Sequence, residues 1–392
     1  MPAERSVDVL LIGGGVASVR CARALRRHGF DGSILIVGAE DRLPYNRPPL
    51  SKEMLRDDLP DDLLAAEPSS WYTRRSVELR TDALVTALYP GARRATLHDG
   101  TTIAFERCLL ATGAELRRLA IPGGDGALLL RTVEDARRIR AAAVAASPGA
   151  PVVVLGGGFI GLEVASALAS LGLRPTVVEM APSLWGGTMG TGLAEWAVDR
   201  LADIGVDLRL GAAVRRLADR AAWTDGERLP AAFVVAGIGV VPRDELAVAA
   251  GLATGDGILV DVGQRTDHPA VWAAGDVARV DGRRVEHWHA AREAGERAAL
   301  SMLGLPLVTH PPPWVFSEVG GASLDVIGAA DGSETAQWLI EHRLLGYCRG
   351  ERVVGLASID GALPAELGRR LVAAGASVDE VTVAGDHSMR GA

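Results

Sequence analysis

The 392-residue chain has three cysteines, a single lysine, a net charge of -8 and no long uninterrupted apolar run. Cys21, Cys108 and Cys348 lie far apart and form no C-x-x-C pair, so the common redox-disulfide signature is missing, which argues against a dithiol relay. Each stands among apolar neighbours in a predicted helix or strand, where free cysteine packs as a small hydrophobe. An acidic surface repels phosphate backbones, which argues against nucleic acid as a partner. Met1 to Asp8 lacks a basic start, and the apolar stretch from Val9 is short and broken by glycine, so no targeting segment is expected. Val152 to Leu173 is interrupted by glycines and by Glu163, which a membrane-spanning helix would carry only at high cost. A soluble, cytoplasmic protein is expected. Asp57-Asp58 and Asp61-Asp62 lack the glycine of a calcium loop, and no His/Cys group has metal-ligand spacing. They read as a solvated face, and no metal is expected.

Present instead are 47 glycines, 48% hydrophobic residues and 23% charged ones, the balance of an α/β chain long enough for two or three domains. The opening reads as strand, turn, helix and strand: Val7 to Ile12, Gly13-Gly14-Gly15, Val16 to His28, Ser33 to Val37, then Glu40. The same order returns at Pro151 to Leu155, Gly156-Gly157-Gly158, Phe159 to Leu171 and Arg174 to Val178, closed by Glu179. Two βαβ units that open on glycines and close on an acid point to two nucleotide-binding domains. Leu109 to Gly113 and Phe233 to Gly239, apolar strands that end in glycine, mark crossings that nest one domain inside the other. His310-Pro311-Pro312-Pro313 reads as a linker, because consecutive prolines neither pair in a sheet nor continue a helix. After it, Ser323 to Ile327, Ala336 to Arg343 and Val353 to Ile359 alternate like antiparallel strands, and Pro364 to Ala374 reads as a helix.

A lone G-x-G-x-x-G is weak evidence in a glycine-rich chain; between strand and helix it carries a mechanism. Gly13 and Gly15 permit a tight turn and close approach to a pyrophosphate, with Ser18 in the small-residue place, and Glu40 would accept from a ribose hydroxyl. Gly156, Gly158 and Gly161 complete the full pattern, and Glu179 follows eighteen residues after Gly161. A carboxylate there bonds the 2′-hydroxyl of NADH and repels the 2′-phosphate of NADPH, which makes NADPH the weaker candidate.

Several stretches, in this order, resemble the FAD-dependent NAD(P)H reductases of ferredoxin, rubredoxin and putidaredoxin type, of the pyridine nucleotide-disulfide oxidoreductase superfamily, close in fold to apoptosis-inducing factor. They are Tyr45 to Lys52, Leu110-Ala111-Thr112-Gly113, Gly156 to Glu163, Gly237 to Pro242, Val271 to Val277 and Glu286-His287-Trp288. The resemblance covers nearly the whole chain. It implies two Rossmann-like dinucleotide-binding domains, the NAD domain (113–236) inserted in the FAD domain (1–112 and 237–310), and a small α+β C-terminal domain (311–392). It also implies that Lys52, the only lysine, sits beside flavin N5 and pairs with Glu163 as the catalytic pair. A lone lysine among arginines at the end of a proline-fixed loop suggests that a compact ammonium is wanted there rather than a planar fork. By the same resemblance Asp276 bonds the ribityl chain, Arg47 and Arg131 line the FAD, and His287 and Trp288 neighbour the pyrimidine end. Val85, Ala111, Thr112 and Gly113 join the FAD set, and Ile160 and Gly239 complete the cofactor-binding residues. His287 and His289 are not needed as acids or bases, since flavin and nicotinamide carry the chemistry.

The implied activity is electron transfer from NADH through FAD to a ferredoxin-type iron-sulfur protein that feeds an oxygenase such as a P450 or dioxygenase. Arg26-Arg27, Arg74-Arg75 and Arg283-Arg284 could form a docking field for an acidic partner, although most such pairs are surface salt-bridge partners. Where relatives carry an aromatic, Ser, an acid, Gln and a second aromatic, this chain has Phe316-Ser317-Glu318-Val319-Gly320, which keeps only the first half. That departure leaves open a stand-alone flavin dehydrogenase or oxidase whose acceptor is a small molecule or oxygen. A nucleotide-bound interaction protein and a cysteine-dependent disulfide reductase are the remaining, weaker readings.

Overall fold

Ile34–Val37 and Val152–Leu155 are buried along their whole length without alternation, as parallel strands are when both faces of a sheet are covered. A computed structural model of the chain describes residues 4–307, 312–328 and 334–390. It divides into two compact units, Met1–Arg47 with Pro60–Glu115 and Val240–Thr309, and Pro48–Leu59 with Leu116–Gly239 and His310–Ala392. His310 and Pro311 of the proline run lie outside the described residues.

In the first unit a seven-stranded sheet runs Val77–Arg80, Ile34–Val37, Glu4–Ile12, Thr102–Leu110, Arg94–Leu97 and Val85–Tyr89, and Val271–Ala273 also pairs with Thr102–Leu110. That long strand serves two partners on one edge. Its first three residues, Thr102 to Ala104, pair antiparallel with Arg94–Leu97 and its last three, Cys108 to Leu110, pair parallel with Val271–Ala273. The parallel set sends the carboxyl ends of Ile12, Val37, Leu110 and Ala273 in one direction. Helix Val16–Arg27 packs through Ala17, Cys21, Ala24 and Leu25 on Val9, Leu11, Ile34 and Ile36.

In the second unit a five-stranded parallel sheet has the order Asp207–Leu210, Arg174–Glu179, Pro151–Leu155, Val234–Ala236, Leu128–Leu129. Helix Phe159–Ser170 follows Pro151–Leu155 and is buried nearly all round, as a helix enclosed by other elements must be. The same unit holds an antiparallel five-stranded sheet in the order Trp314–Val319, Ala322–Gly328, Arg352–Ile359, Leu344–Arg349, Thr335–Ile340, with helices Ala365–Ala374 and Val378–Arg390. The described part of the proline run is tied to helix Ala365–Ala374 and to the sheet: the Pro312 carbonyl accepts from Arg369 and that of Pro313 from Gly328 N. All three cysteines are buried and free. Among the described residues no helix is long and apolar enough to cross a membrane, and no cluster could hold a metal ion.

Candidate dinucleotide sites and a buried lysine pair

At the first fingerprint Gly13 has φ +125°, and a Cβ there would fall 2.1 Å from the Ala111 carbonyl oxygen. Only glycine allows the turn to pass so close to the end of the neighbouring strand. Gly15 is the N-cap of the following helix and offers no side chain to its first-turn N–H groups, which leaves those donors for a ligand. Ser18 is wholly buried and its hydroxyl has no partner. Gly275 brings the Ala-Gly-Asp turn against Ala17, since its Cβ would stand 3.3 Å from Ala17 Cβ, and so sets Asp276 at the amino end of the same helix. Thr112 donates to the Arg243 carbonyl and Gly113 O accepts from Arg243 N. A cradle of backbone N–H groups with an acid at each flank fits a dinucleotide with two phosphates.

Glu40 lies three residues past Ile34–Val37, where Tyr45 donates its hydroxyl to Oε2 at 2.8 Å and Arg47 donates to Oε1 at 3.1 Å. Each oxygen keeps a lone pair for a ribose hydroxyl. Burial pushes the Tyr45 phenol far above its ordinary value, so it stays a donor. Trp288 donates to Asn46 at 2.9 Å and carries the Arg292 guanidinium over its ring. The His287 Nδ1 accepts from His289 N as the N-cap of helix Trp288–Met302, and His289 faces Glu293 at 3.4 Å. Both histidines are thus engaged in building that helix. Val85 is buried against Leu97 in the core, so what it can offer a cofactor is its main chain.

At the second fingerprint Gly156 has φ +107°, and a Cβ on Gly161 would lie 1.9 Å from the Gly156 carbonyl oxygen. Gly158 is an uncapped N-cap, and Ile160 in the first turn is exposed. Glu179 accepts from Gly157 N at 2.6 Å and Ala181 N at 2.7 Å, so the acid that ends the strand also holds the glycine loop. Trp185 N donates to the Gly157 carbonyl and its ring meets Phe159. Gly239 has φ +89° in the segment after Val234–Ala236. Arg131 N donates to Asp135 at the start of helix Val133–Ala145.

Lys52 and Glu163 meet as an ion pair of 2.9 Å inside the second unit, and both are buried. Lys52 Nζ also donates to the Pro48 carbonyl at 3.1 Å. Ser51 donates to the same carboxylate oxygen that Lys52 faces, and Ser317 donates to the other at 2.6 Å. Taking two ions out of water costs several kcal/mol each; here a cation and two hydroxyls surround one carboxylate. Ser51 and Ser317 were not singled out from sequence. Their signal is a serine in the inward phase, most visible at Ser317, which shares its buried face with Val319.

Thus Gly13, Gly15, Ser18, Glu40, Arg47, Val85, Ala111, Thr112, Gly113, Asp276, His287 and Trp288 belong to the first unit, and Lys52, Arg131, Gly156, Gly158, Ile160, Gly161, Glu163, Glu179 and Gly239 to the second. The acidic run behaves as a surface, with Asp58 facing Arg137 and Asp61 facing Arg42. The arginine pairs are largely structural: Arg26 donates to four backbone carbonyls, Arg27 pairs with Glu296, and Arg284 with Glu286 and Asp256. Burial drives the Cys21 and Cys108 thiols far above their ordinary value, which leaves them inert.

Comparison with known proteins agrees with this geometry. The chain is 35% identical over 388 residues to the ferredoxin–NAD(+) reductase component of an anthranilate 1,2-dioxygenase system from Burkholderia cepacia, covering 94% of this chain and 95% of that one. It is 32% identical to a rubredoxin-NAD(+) reductase from Pseudomonas putida, over 90% and 95% of the two chains. Putidaredoxin reductase, solved in covalent complex with putidaredoxin, superposes with a TM-score of 0.86 at 29% identity, over 93% and 92%. Residues 7–295 match the pyridine nucleotide-disulphide oxidoreductase model. With two glycine turns that open helices and three cysteines that are all buried and free, the chain belongs to the pyridine nucleotide-disulphide oxidoreductase family and is an NAD(P)H oxidoreductase.

Proposed function

We propose that this chain takes electrons from NADH and passes them, through FAD, to a ferredoxin-type iron-sulfur protein that serves an oxygenase, and that it does so in the cytoplasm. The observation that carries the reading is the conjunction of two uncapped glycine cradles with one buried lysine pair and no dithiol. Bound FAD supplies the conversion of a hydride into single electrons. Gly13, Gly15 and the first turn of helix Val16–Arg27 would hold its pyrophosphate, Glu40 its ribose, and Asp276 the ribityl chain. Arg47, Ala111, Thr112, Gly113, Val85, Arg131, His287 and Trp288 would line it. Gly156, Gly158, Gly161, Ile160 and Gly239 would receive NADH, with Glu179 reading the 2′-hydroxyl. Lys52, its ammonium fixed by Glu163, would present a localised positive charge to the flavin. The proposed division at 1–112 with 237–310, 113–236 and 311–392 is supported by a sheet with a parallel core for each nucleotide and an antiparallel sheet after the prolines, while Pro48–Leu59 groups with the second compact unit.

The altered Val319-Gly320 segment gives no support to a different acceptor, because Val319 is wholly buried and Gly320 N donates to Ser166 Oγ at 3.0 Å. The test is stopped-flow reoxidation of NADH-reduced enzyme, mixed separately with [2Fe-2S] ferredoxins, rubredoxin and oxygen. Rapid reoxidation by an iron-sulfur protein is expected. Rapid reoxidation by oxygen and none by any ferredoxin would replace this reading with an oxidase.

A further inference from the structure

Strand Trp314–Val319 grips helix Phe159–Ser170 at two points one turn apart. Ser317 Oγ donates to Glu163 Oε1 at 2.6 Å, and Gly320 N donates to Ser166 Oγ at 3.0 Å. Glu163, Ser166 and Ser317 are all buried. Gly320 has φ +57° and lies so near Arg200 that a Cβ would stand 2.7 Å from its Cγ and 2.9 Å from its carbonyl oxygen, so a larger residue would push the strand off the helix. The neighbouring Glu318 takes both nitrogens of Arg56. Arg56 is in the short helix Glu53–Asp57 that starts at Lys52, and Arg140 donates to the Leu55 and Arg56 carbonyls at its other end. Consecutive residues of one strand therefore hold both the lysine's partner and the lysine's own helix.

From this arrangement we infer that Ser317 is a positioning residue for the hydride-transfer site. By occupying Oε1 it fixes the rotation of the Glu163 carboxylate, so that Oε2 is presented to Lys52 and Ser51. A carboxylate lacking that bond turns about its last torsion, which is broad and two-fold, and the ammonium turns with it. The placement of the C-terminal sheet is thereby transmitted to the Lys52 ammonium. The inference rests on the proposed role of Lys52.

The test is a double-mutant cycle of Ser317→Ala and Lys52→Ala, with Ser317→Thr as the conservative control, on holoenzyme of verified FAD content. Two signals are read: the rate of anaerobic flavin reduction at saturating NADH and the visible circular dichroism of bound FAD. Ser317→Ala is expected to slow reduction about fivefold, leave KM for NADH unchanged and alter the dichroism. Ser317→Thr restores both signals, and Ser317→Ala changes neither in the Lys52→Ala background. Equal effects in the two backgrounds would make Ser317 merely structural, and no effect in the parent would remove it from the site; either overturns the inference while the role of Lys52 stands. If Lys52→Ala itself leaves rate and dichroism at parent values, the proposed role of Lys52 falls, and this inference with it.

Discussion

Lys52 Nζ lies 2.9 Å from Glu163 Oε2 across a sequence gap of more than a hundred residues, and neither group has appreciable access to solvent. Removing one member leaves the other buried and uncompensated, at about 3–5 kcal/mol. Lys52→Ala is expected to lower the melting temperature and slow flavin reduction by NADH about tenfold or more. Lys52→Met/Glu163→Gln, which removes both charges, recovers stability without recovering rate. Thermal melts and anaerobic stopped-flow absorbance at the flavin band separate the two effects.

Glu179 both closes its strand and accepts from the glycine loop, so its replacement would act on the proposed NADH site in two ways. Glu179→Gln is expected to raise KM for NADH about tenfold, the loss of a charged hydrogen bond, and to narrow the preference over NADPH. FAD content stays at the parent level. Steady-state kinetics with both nucleotides check the first part and the flavin absorbance ratio the second.

The two fingerprints can be damaged separately. Gly13→Ala sets a methyl group 2.1 Å from the Ala111 carbonyl at a positive φ, and the expected product is purified protein lacking FAD. Gly161→Ala sets one 1.9 Å from the Gly156 carbonyl, and the expected product retains FAD but is not reduced by NADH, while dithionite still reduces it. Loss of FAD from the second variant would contradict the separate cradles.

Asp325 links stability to pH. Burial raises its carboxyl above the ordinary value of 3.8, partly offset by the Trp314 indole N–H donated to it at 2.7 Å. The folded chain holds that proton more tightly than the unfolded one. Stability therefore falls as pH rises from 3.8 through the raised folded value and stays lower above it. Asp325→Asn, whose amide oxygen can still accept from Trp314, is expected to raise the melting temperature at neutral pH. The gain shrinks as the pH is lowered toward 3.8, as denaturant titrations across that range would show.

The βαβ units were legible because unalternating apolar runs, glycine turns and terminal acids are local signals. Pro151–Leu155 forms over the span expected, helix Val16–Arg27 ends one residue early, and strand Arg174–Glu179 runs one residue long, taking in its acid. The C-terminal sheet was read in part. Ser323 to Ile327, Val353 to Ile359 and the helix after Pro364 are present, whereas Leu344–Arg349, buried without a break from Leu344 to Cys348 and containing Gly346, gave no alternation to read. Helix Val378–Arg390 contains valines, a threonine and a glycine, all poor helix formers. It depends on tertiary packing, with Gly385 pressed against Ile340 and Leu344. At the site, Lys52 and Glu163 could be named from sequence, but Ser317 could not be joined to them, since its bond spans 154 residues.

That span bears on how the chain is made. A ribosome releases Lys52 and Glu163 long before Ser317, so the nascent second unit emerges with a carboxylate it cannot fully satisfy. Its last donor arrives only with the first strand after the prolines. Completion of that unit therefore waits until Trp314–Val319 has been synthesised, and a chain halted before Trp314 would be expected to expose helix Phe159–Ser170 to chaperones.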